Sequence, residues 1–289
     1  MIQEGAVVQA AQGDQISFTR PVHVPGLELC RARYERRAFP AHVHEEYVVG
    51  AMTLGAESLS IRGATHVAGK GDLILIEPGE RHSNCTAMAG AFAYVVMYIP
   101  AELMTQGLCD LVDTHKVRPP HFRVPTPRLA ALHRTLVRTH ALLSSSPGAL
   151  EQQTAFLMFL SQLLESQQLC FASIRSKPEH RKISIAQSYI DAHFQESISL
   201  REVAAIAGLS QFHLLRSFKS QVGLPPAAYQ THLRIAEAKR RLRSGSDVAE
   251  TAAELGFVDQ SHLTRHFQRI VGTSPGRYRA AITSNTLDI

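Results

Sequence analysis

The stretch GFVDQSHLTRHFQRIVGTSPGRYR, residues 256–279, repeats the pattern of an earlier stretch, GLSQFHLLRSFKSQVGLPPAAY, residues 208–229. Each copy opens with a glycine, places apolar residues at i, i+4 and i+8, and closes with a second glycine that a proline follows three residues later. This spacing predicts a helix that packs one face on a core and ends at the second glycine. The residues that match at an offset of 49 are His213, Leu214, Arg216, Phe218, Val222, Gly223, Pro226 and Tyr229 with His262, Leu263, Arg265, Phe267, Val271, Gly272, Pro275 and Tyr278.

A short helical pattern precedes the opening glycine of each copy, SLREVAAIAG in the first and DVAETAAELG in the second. We predict N-caps at Ser199 and Ser246, because serine side chains accept hydrogen bonds from the first unpaired N–H groups of a helix. We predict a positive φ at Gly208 and Gly256, where the chain turns into the next helix. The sequence therefore predicts two helix-turn-helix motifs, and the second has one extra residue in the turn after Gly256.

The segment PAAYQTHLRIAEAKRRLR, residues 226–243, connects the two motifs and reads as one continuous helix with a proline at its first position. Its 18 residues span about 27 Å at about 1.5 Å each. A rigid spacer of this order places two recognition helices about one turn of DNA apart, roughly 34 Å. Because both predicted recognition helices have a polar and basic face, we expect one chain to reach two successive major grooves.

The charge distribution favours two domains, of which the second is basic. The chain has 289 residues and a formal net charge of +5, and domains usually take about 100–200 residues. Residues 1–176 hold 15 Lys and Arg against 15 Asp and Glu, whereas residues 177–289 hold 15 against 10. The whole positive excess lies in the C-terminal part, which favours a nucleic-acid partner there.

Several classes of protein are disfavoured by the sequence. No apolar run reaches the roughly 18 residues of a membrane-spanning helix, and the N-terminus lacks the basic and apolar regions of a secretory signal. The four cysteines form no C-x-x-C pair, so a disulfide framework or a zinc ribbon is not expected. We expect a cytoplasmic protein with buried, reduced thiols and no membrane partner.

The N-terminal part predicts a β-domain followed by helices, so the expected fold class is α+β with two domains. Short apolar or alternating runs between Gly and Pro predict a small antiparallel sandwich or barrel. Two helical patterns on either side of SSSPG predict an α-hairpin, which either packs on the β-domain or forms a dimer seam. The expected boundaries are an N-terminal domain over 1–172, with a β-barrel at about 15–100 and helices at about 101–172, a linker over 173–182, an all-α double helix-turn-helix domain over 183–281 and a tail over 282–289.

The stretch FPAHVHEEYVVG, residues 39–50, places two histidines one residue apart. Alternate strand residues share a face, so the rings of His42 and His44 are expected to converge, with Glu46 at the same parity. Three interpretations stay open: a small-molecule pocket lined by histidines, a bound catalytic metal ion, and structural histidines at the mouth of a barrel. Arg37, on the preceding segment, either meets an anionic effector or is solvated.

Residues 183–281 resemble the DNA-binding domain of the AraC/XylS family of transcription regulators over their whole length. The stretch that begins at Gly256 departs little from the second signature of that family, although Val258 replaces the usual small residue after Gly-Phe. Arg216 and Arg265 suit guanine, because a guanidinium can donate to O6 and N7 together. The resemblance implies base-facing positions at Phe212, Leu215 and Arg216 in the first recognition helix and at Gln260, Ser261, His262 and Arg265 in the second, and phosphate contacts at Lys219, Thr264, Gln268 and Arg269.

Residues from about 15 to 100 resemble the cupin-like effector domain that is common in the same family. A metal-binding cupin has an H-x-H pair and a glutamate in its first block and a third histidine in its second. His42 and His44 match the first block and His82 matches the second, but Val48 and Val49 occupy the usual glutamate positions. No metal or other cofactor is expected, although a metal ion would use the three histidines. The resemblance implies an effector pocket whose candidate residues are Arg37, His42, His44, Glu46 and His82.

These features favour a sequence-specific DNA-binding transcription regulator without enzymatic activity. An effector-responsive activator is the expected mode, because activation is commoner in the family that the chain resembles. The alternatives are a metal-dependent cupin enzyme with a basic appended domain, and a constitutive DNA-binding protein whose barrel only mediates interactions. The expected partners are double-stranded promoter DNA, a small-molecule effector of unknown identity, RNA polymerase and, if the α-hairpin is a dimer seam, a second copy of the chain.

Overall fold

The computed structural model of the chain divides into two compact units. One unit comprises residues 1–145 and 155–174, and the other comprises residues 146–154 and 175–289. The division is therefore not a single cut at the expected linker, because nine residues that precede it cluster with the C-terminal unit. The structure describes residues 13–88, 90–112, 120–145, 148–167 and 180–284.

The described part of the N-terminal unit contains nine short strands, as the runs between Gly and Pro predict. The strands are β1 (Gln15–Thr19), β2 (Glu28–Tyr34), β3 (Ala38–His42), β4 (Tyr47–Leu54), β5 (Ala56–Ile61), β6 (Ala64–Gly69), β7 (Leu73–Ile76), β8 (His82–Thr86) and β9 (Phe92–Ile99). They pair antiparallel in two sheets, one with the order β1-β2-β9-β4-β7 and one with the order β3-β8-β5-β6. The predicted antiparallel β-domain is therefore confirmed.

The apolar core of this unit takes side chains from both sheets. Tyr34, Met52 and Phe92 come from the five-stranded sheet, and Leu59 comes from the four-stranded sheet. Alternating strand residues point inward here, which removes their apolar surface from water. In the register of β3 and β8, His42 lies opposite His82, so strand pairing brings two of the three predicted histidines together.

In the described residues between Ile99 and His180, three helices follow the strands: α1 (Ala101–Val112), α2 (Ala130–Ser144) and α3 (Ala149–Ser166). Helix α2 packs on the five-stranded sheet through two histidines. Nε2 of His133 donates to the carbonyl of Met52 at 2.8 Å, and Nε2 of His140 donates to the carbonyl of Cys30 at 3.0 Å. These contacts support packing on the β-domain as the role of α2, while a dimer seam stays a prediction.

The described residues from His180 onward form seven helices: α4 (His180–His193), α5 (Leu200–Ala207), α6 (Gln211–Val222), α7 (Pro226–Arg243), α8 (Val248–Glu254), α9 (Gln260–Val271) and α10 (Pro275–Ser284). The two helix-turn-helix motifs are α5 with α6 and α8 with α9. Helix α7 connects them with the bounds that the sequence predicts.

Glycines turn the chain at the predicted ends of the motif helices. The φ angle is 62° at Gly208 and 69° at Gly256, and it is 84° at Gly223 and 85° at Gly272. A Cβ atom makes this left-handed backbone conformation unfavourable, and glycine adopts it readily because it has none. These glycines therefore mark where both helices of each motif end.

One of the two predicted N-caps is confirmed and the other is wrong. The Ser199 hydroxyl accepts from the N–H of Glu202, and the Glu202 carboxylate accepts in return from the N–H of Ser199, which forms a capping box. At α8 the cap is Asp247 and not Ser246, because the Asp247 carboxylate accepts from the N–H of Ala249 at 2.7 Å. A negative charge at a helix N-terminus also interacts favourably with the helix dipole.

Three smaller expectations are corrected. Helix α4 begins at His180, so the end of the predicted linker 173–182 is helical, and the rest of that linker lies outside the described residues. Helix α10 extends to Ser284, so the predicted tail 282–289 begins with helix and then leaves the described residues. Cys85 is exposed, so not every thiol is buried.

No helix among the described residues is both long and apolar enough to cross a bilayer.

Candidate nucleic-acid interface and effector cavity

The second recognition helix, α9, is fixed by a core and by a cap. Leu263 and Phe267 are fully buried against α7, where Ile235 is equally buried. Asp259 caps the helix by accepting a hydrogen bond from the N–H of His262 at 2.6 Å. The apolar stripe at i and i+4 thus determines which face of α9 is left for other contacts.

Most polar residues that the family resemblance assigns to DNA are accessible on the recognition helices. Arg216 on α6 and Arg265 on α9, the two predicted guanine readers, are both exposed. The other predicted DNA contacts that are exposed or half-buried are Lys219, Gln260, Ser261, Thr264, Gln268 and Arg269.

Three predicted base-facing residues are buried, which corrects their assignment. Phe212 is 1% exposed, Leu215 is 6% exposed and His262 is 7% exposed. Apolar side chains such as Phe212 and Leu215 gain free energy when they leave water, and the ring of His262 contacts other polar side chains. In this structure the three side chains are therefore not accessible to base edges.

Arg234 on α7 contributes to the geometry of both motifs, although its place in the sequence pattern does not mark it. The guanidinium donates to the carbonyls of Phe194 at 2.6 Å, Glu196 at 2.8 Å and Gly256 at 2.7 Å. The first two carbonyls follow α4 beside the first motif, and the third lies in the turn of the second motif. Burial lowers the pKa of Arg234 to about 10. One buried cation thus ties both motifs to the connecting helix.

A buried polar cluster surrounds His262. Nε2 of His262 lies 2.9 Å from Nε2 of His266, one turn later on α9. The Glu151 carboxylate lies 3.5 Å from Nε2 of His262 and 3.7 Å from Nε2 of His266. Burial lowers the pKa of His266 to about 4. Burial raises the pKa of Glu151, but the hydrogen bond with His262 and nearby positive charge outweigh it and hold that pKa below its usual value.

A cavity of about 230 Å³ in the N-terminal unit brings the three predicted histidines together. Its walls come from both sheets, with Val48 on one and Leu59 on the other. The ring centroids are 4.9 Å apart for His42 and His44, 4.3 Å for His42 and His82, and 5.2 Å for His44 and His82. The convergence that the sequence predicts is therefore present.

Backbone carbonyls select the tautomers of two of these histidines. Nδ1 of His42 lies 2.8 Å from the carbonyl of Pro40, and Nδ1 of His82 lies 2.9 Å from the carbonyl of Glu80. A carbonyl only accepts, so each Nδ1 carries the hydrogen and each Nε2 keeps a lone pair. Burial, followed by the neighbouring histidines, lowers the pKa of His44 to about 4. The cluster therefore offers hydrogen-bond acceptors.

The sequence pattern does not mark the remaining polar groups of the cavity. Glu57 is 2% exposed and accepts from the Asn84 amide at 3.1 Å. Burial raises the pKa of Glu57 to about 7 despite that hydrogen bond. Tyr34, Tyr94 and Tyr98 add hydroxyl groups, and burial raises the pKa of each above its usual value. Among the described residues, neither Lys nor Arg lines this cavity.

Two predicted effector residues lie outside the cavity, which is a further correction. The Arg37 side chain is exposed and its guanidinium lies over the ring of Phe39, 5.5 Å from the centroid. Strand β3 ends at His42, so Glu46 lies in the connection to β4 and the parity argument does not extend to it. Neither Arg37 nor Glu46 lines the cavity.

Comparison with known proteins covers both parts of the chain. Residues 24–160 match the family profile described as an AraC-like ligand binding domain, and residues 203–281 match a helix-turn-helix domain profile. The HTH-type transcriptional regulator YbfI of Bacillus subtilis (strain 168) is 29% identical over 239 residues, which are 82% of this chain and 86% of that protein. The HTH-type transcriptional activator RhaS of Klebsiella pneumoniae (strain 342) is 25% identical over 248 residues, 84% of this chain and 88% of that protein. The DNA-binding domain of AdpA in complex with a target DNA aligns with 29% identity and a TM-score of 0.35, over 39% of this chain and 100% of that chain.

A β-domain of ligand-binding type, followed by two helix-turn-helix motifs on one connecting helix, defines a transcription regulator that binds DNA. The two matched profiles fall on these two parts. The chain belongs to the AraC/XylS family of transcription regulators.

Proposed function

We propose that this chain activates transcription when a small molecule occupies the cavity, and that it reads two DNA segments one helical turn apart. The observation that carries the DNA part is the exposure of Arg216 and Arg265 on two helices that the 18-residue helix α7 connects. Each guanidinium is accessible for bidentate donation to guanine. The positive excess of the C-terminal part adds attraction to the phosphate backbone.

Within this interface, base readout and phosphate contact fall to different residues. Arg216, Arg265 and the exposed Gln260 at the start of α9 take the base-reading role, because an arginine can donate two hydrogen bonds to guanine and a glutamine can donate one to adenine and accept one from it. Lys219 and Arg269 take phosphate contacts, which position the protein and carry no sequence information. The hydroxyl groups of Ser261 and Thr264 and the amide of Gln268 add contacts that position the protein on the DNA.

The chemistry of the cavity favours a small, uncharged effector that donates hydrogen bonds. Its volume of about 230 Å³ lies below the roughly 300–1,000 Å³ of most ligand pockets, so a molecule of about one ring fits. The Nε2 lone pairs of His42 and His82 accept hydrogen bonds from it. An anionic effector finds no Lys or Arg among the described lining residues, which is evidence against the role predicted for Arg37.

Activation is the proposed mode because two relatives bear that description: RhaS of Klebsiella pneumoniae and the lactose operon transcription activator of Staphylococcus xylosus. RNA polymerase in the cytoplasm is the protein partner that this mode requires. Effector occupancy must favour one arrangement of the regulator over another, since a ligand shifts an equilibrium only through differential binding. A homodimer stays a prediction, to be measured by light scattering at several protein concentrations.

A metal-dependent enzyme is the second candidate, and the tautomers of His42 and His82 are the observation that favours it. Imidazoles that donate Nδ1–H to carbonyls present Nε2 to a metal ion. Against it, Val48 and Val49 are 5% and 0% exposed where a metal-dependent cupin has its glutamate. We therefore propose no enzymatic activity. Near-stoichiometric zinc or iron that is lost in His42→Ala would favour the enzyme.

Thermal unfolding with a panel of small hydroxylated aromatic compounds tests the effector cavity. A compound that fits is expected to raise Tm of the wild-type chain and of His66→Ala, a control on β6 outside the cavity, but not of His82→Ala. The same compound is expected to change occupancy of a DNA site selected with the full chain. An equal Tm rise in His82→Ala, or unchanged DNA occupancy, would contradict the proposal.

A further inference from the structure

The buried cluster of Glu151, His262 and His266 has no role in effector binding or in base readout as proposed. The two histidines are four residues apart on α9, so their rings share one face. Glu151 belongs to the segment 146–154 that clusters with the C-terminal unit. One ligand atom from each residue lies within 4.8 Å of the others. Two imidazoles and a carboxylate are a donor set that zinc uses in proteins.

The separations between the two imidazoles and the carboxylate are close to the edges of a coordination tetrahedron. Ligand atoms at about 2.0–2.1 Å from zinc lie about 3.3 Å from one another in that geometry. The observed values are 2.9 Å between the two Nε2 atoms, 3.5 Å from Nε2 of His262 to Oε2 of Glu151, and 3.7 Å from Nε2 of His266 to Oε1 of Glu151. The two imidazoles thus face different oxygens of one carboxylate, and a carboxylate can bind a cation through one oxygen or through both.

The hydrogen bonds of the cluster identify what an ion must displace. Arg269 donates to Nδ1 of His266 at 2.8 Å, and the N–H of Val258 points at Nδ1 of His262 at 3.4 Å. A metal ion needs the lone pair of each Nε2, so each Nδ1 must carry the hydrogen instead. Arg269 is exposed, so its guanidinium can turn to solvent or to a DNA phosphate. The longer contact from Val258 is weak.

We propose that Glu151, His262 and His266 form a site for a divalent cation, with zinc as the preferred ion and an open fourth position. The imidazoles bind through Nε2 and Glu151 binds through its carboxylate. Metal ligands must be deprotonated, so the zinc affinity is expected to fall as pH is lowered. Arg269 competes with the ion through both its hydrogen bond and its charge.

The test measures the zinc affinity of the full-length chain by competition with a chromogenic chelator. All variants carry His42→Ala and His44→Ala, which disrupt the histidine cluster of the cavity. One zinc ion per chain is expected in this background. Adding Glu151→Gln or His266→Ala is expected to weaken zinc binding by about tenfold or more. His232→Ala, an exposed control on α7, is expected to leave the affinity unchanged.

Arg269→Ala is expected to change the zinc affinity in the opposite direction, towards tighter binding. A cluster with a purely structural role does not predict this change. Removal of the competing donor and its positive charge is expected to tighten zinc binding by about threefold or more. Cobalt(II) in place of zinc reports the coordination, and its visible absorption is expected to change in His266→Gln. Equal zinc affinity of Glu151→Gln and the background, or weaker binding in Arg269→Ala, would overturn the proposal. If Glu151→Gln fails to fold, Arg269→Ala and His266→Gln still decide it.

Discussion

Replacement of Arg234 by methionine removes three hydrogen bonds from a charged donor and keeps an unbranched side chain. The donor reaches the carbonyls of Phe194, Glu196 and Gly256 at 2.6, 2.8 and 2.7 Å. Hydrogen bonds to a charged group contribute about 1.5–3 kcal/mol each. The Gln230 amide also donates to the first two carbonyls, both at 3.1 Å, so those two keep a donor. The Gly256 carbonyl loses its charged donor.

We expect Arg234→Met to lower the free energy of unfolding of the C-terminal unit by about 2–4 kcal/mol. Three hydrogen bonds from a charged donor would together contribute more than this, but the Gln230 amide still donates to two of the three carbonyls. Methionine also avoids the cost of burying a cation, a cost that the lowered pKa of Arg234, about 10, reflects.

Hydrogen exchange measured by mass spectrometry on the full-length chain tests this value. Protection of amides in α4 and α8 is expected to fall about 30- to 1,000-fold, because each 1.4 kcal/mol is a factor of ten. Arg240→Met is the matched control, since Arg240 is exposed on the same helix and pairs with Glu237 at the surface, where ion pairs contribute little. Wild-type protection in Arg234→Met, or a loss confined to one motif, would refute the reasoning.

Three further predictions concern the cavity, the DNA face and a turn. Burial raises the pKa of Glu57 to about 7, above its value in the unfolded chain. At high pH the folded chain must hold an ionised carboxylate in a buried site, which lowers the free energy of unfolding. At low pH the carboxyl is neutral and this cost is absent. Glu57→Gln is therefore expected to raise the free energy of unfolding by about 3 kcal/mol at pH 8 and by about 1 kcal/mol at pH 5 in urea denaturation, and a gain independent of pH would contradict this. In fluorescence anisotropy, Arg265→Ala is expected to cost about 1–3 kcal/mol of DNA-binding free energy and to relax the preference at one base position. Lys219→Ala is expected to weaken binding to all DNA sites alike and to lower the slope of log affinity against log salt concentration by about one. An equal loss on specific and random DNA for Arg265→Ala would contradict its base-reading role. In Gly256→Ala the new Cβ would lie 2.2 Å from the Gln195 carbonyl at a φ of 69°, so calorimetry is expected to show a loss of about 2 kcal/mol or more, and an unchanged Tm would contradict the clash.

Local signals predicted the two helix-turn-helix motifs and the helix that connects them. Helix α7 has the predicted bounds, because Pro226 occupies the first helical position and φ ≈ −65° of proline suits a helix start. The cap of α8 was assigned one residue early, since Ser246 and Asp247 belong to the same class of capping residue. Only the side-chain geometry, with Asp247 accepting at 2.7 Å, distinguishes them.

The polar lining of the cavity could be predicted only in part, because long-range strand pairing creates it. The H-x-H pair marked His42 and His44, but β3 ends at His42, so strand parity misplaced Glu46. The pairing of β5 with β8 sets Glu57 in the same sheet as His82. A glutamate in an alternating strand normally predicts the solvent face, and no local pattern reveals its burial.

The recognition helices show the same limit. Their boundaries and basic faces follow from the repeat, whereas the accessibility of each side chain depends on tertiary contacts. His262 contacts Glu151, more than a hundred residues earlier in the chain. The H-x-x-x-H spacing with His266 is the one local signal that could have pointed to this cluster.

Hydroxyl-radical footprinting of a site selected with the full-length chain tests most directly whether one chain reads DNA with two helices. The wild-type chain is expected to protect two segments about one helical turn apart on one face of the duplex. Arg216→Ala is expected to weaken protection of one segment, and Arg265→Ala is expected to weaken the other. A single protected segment, or loss at the same segment in both variants, would contradict the two-helix reading of DNA by this chain.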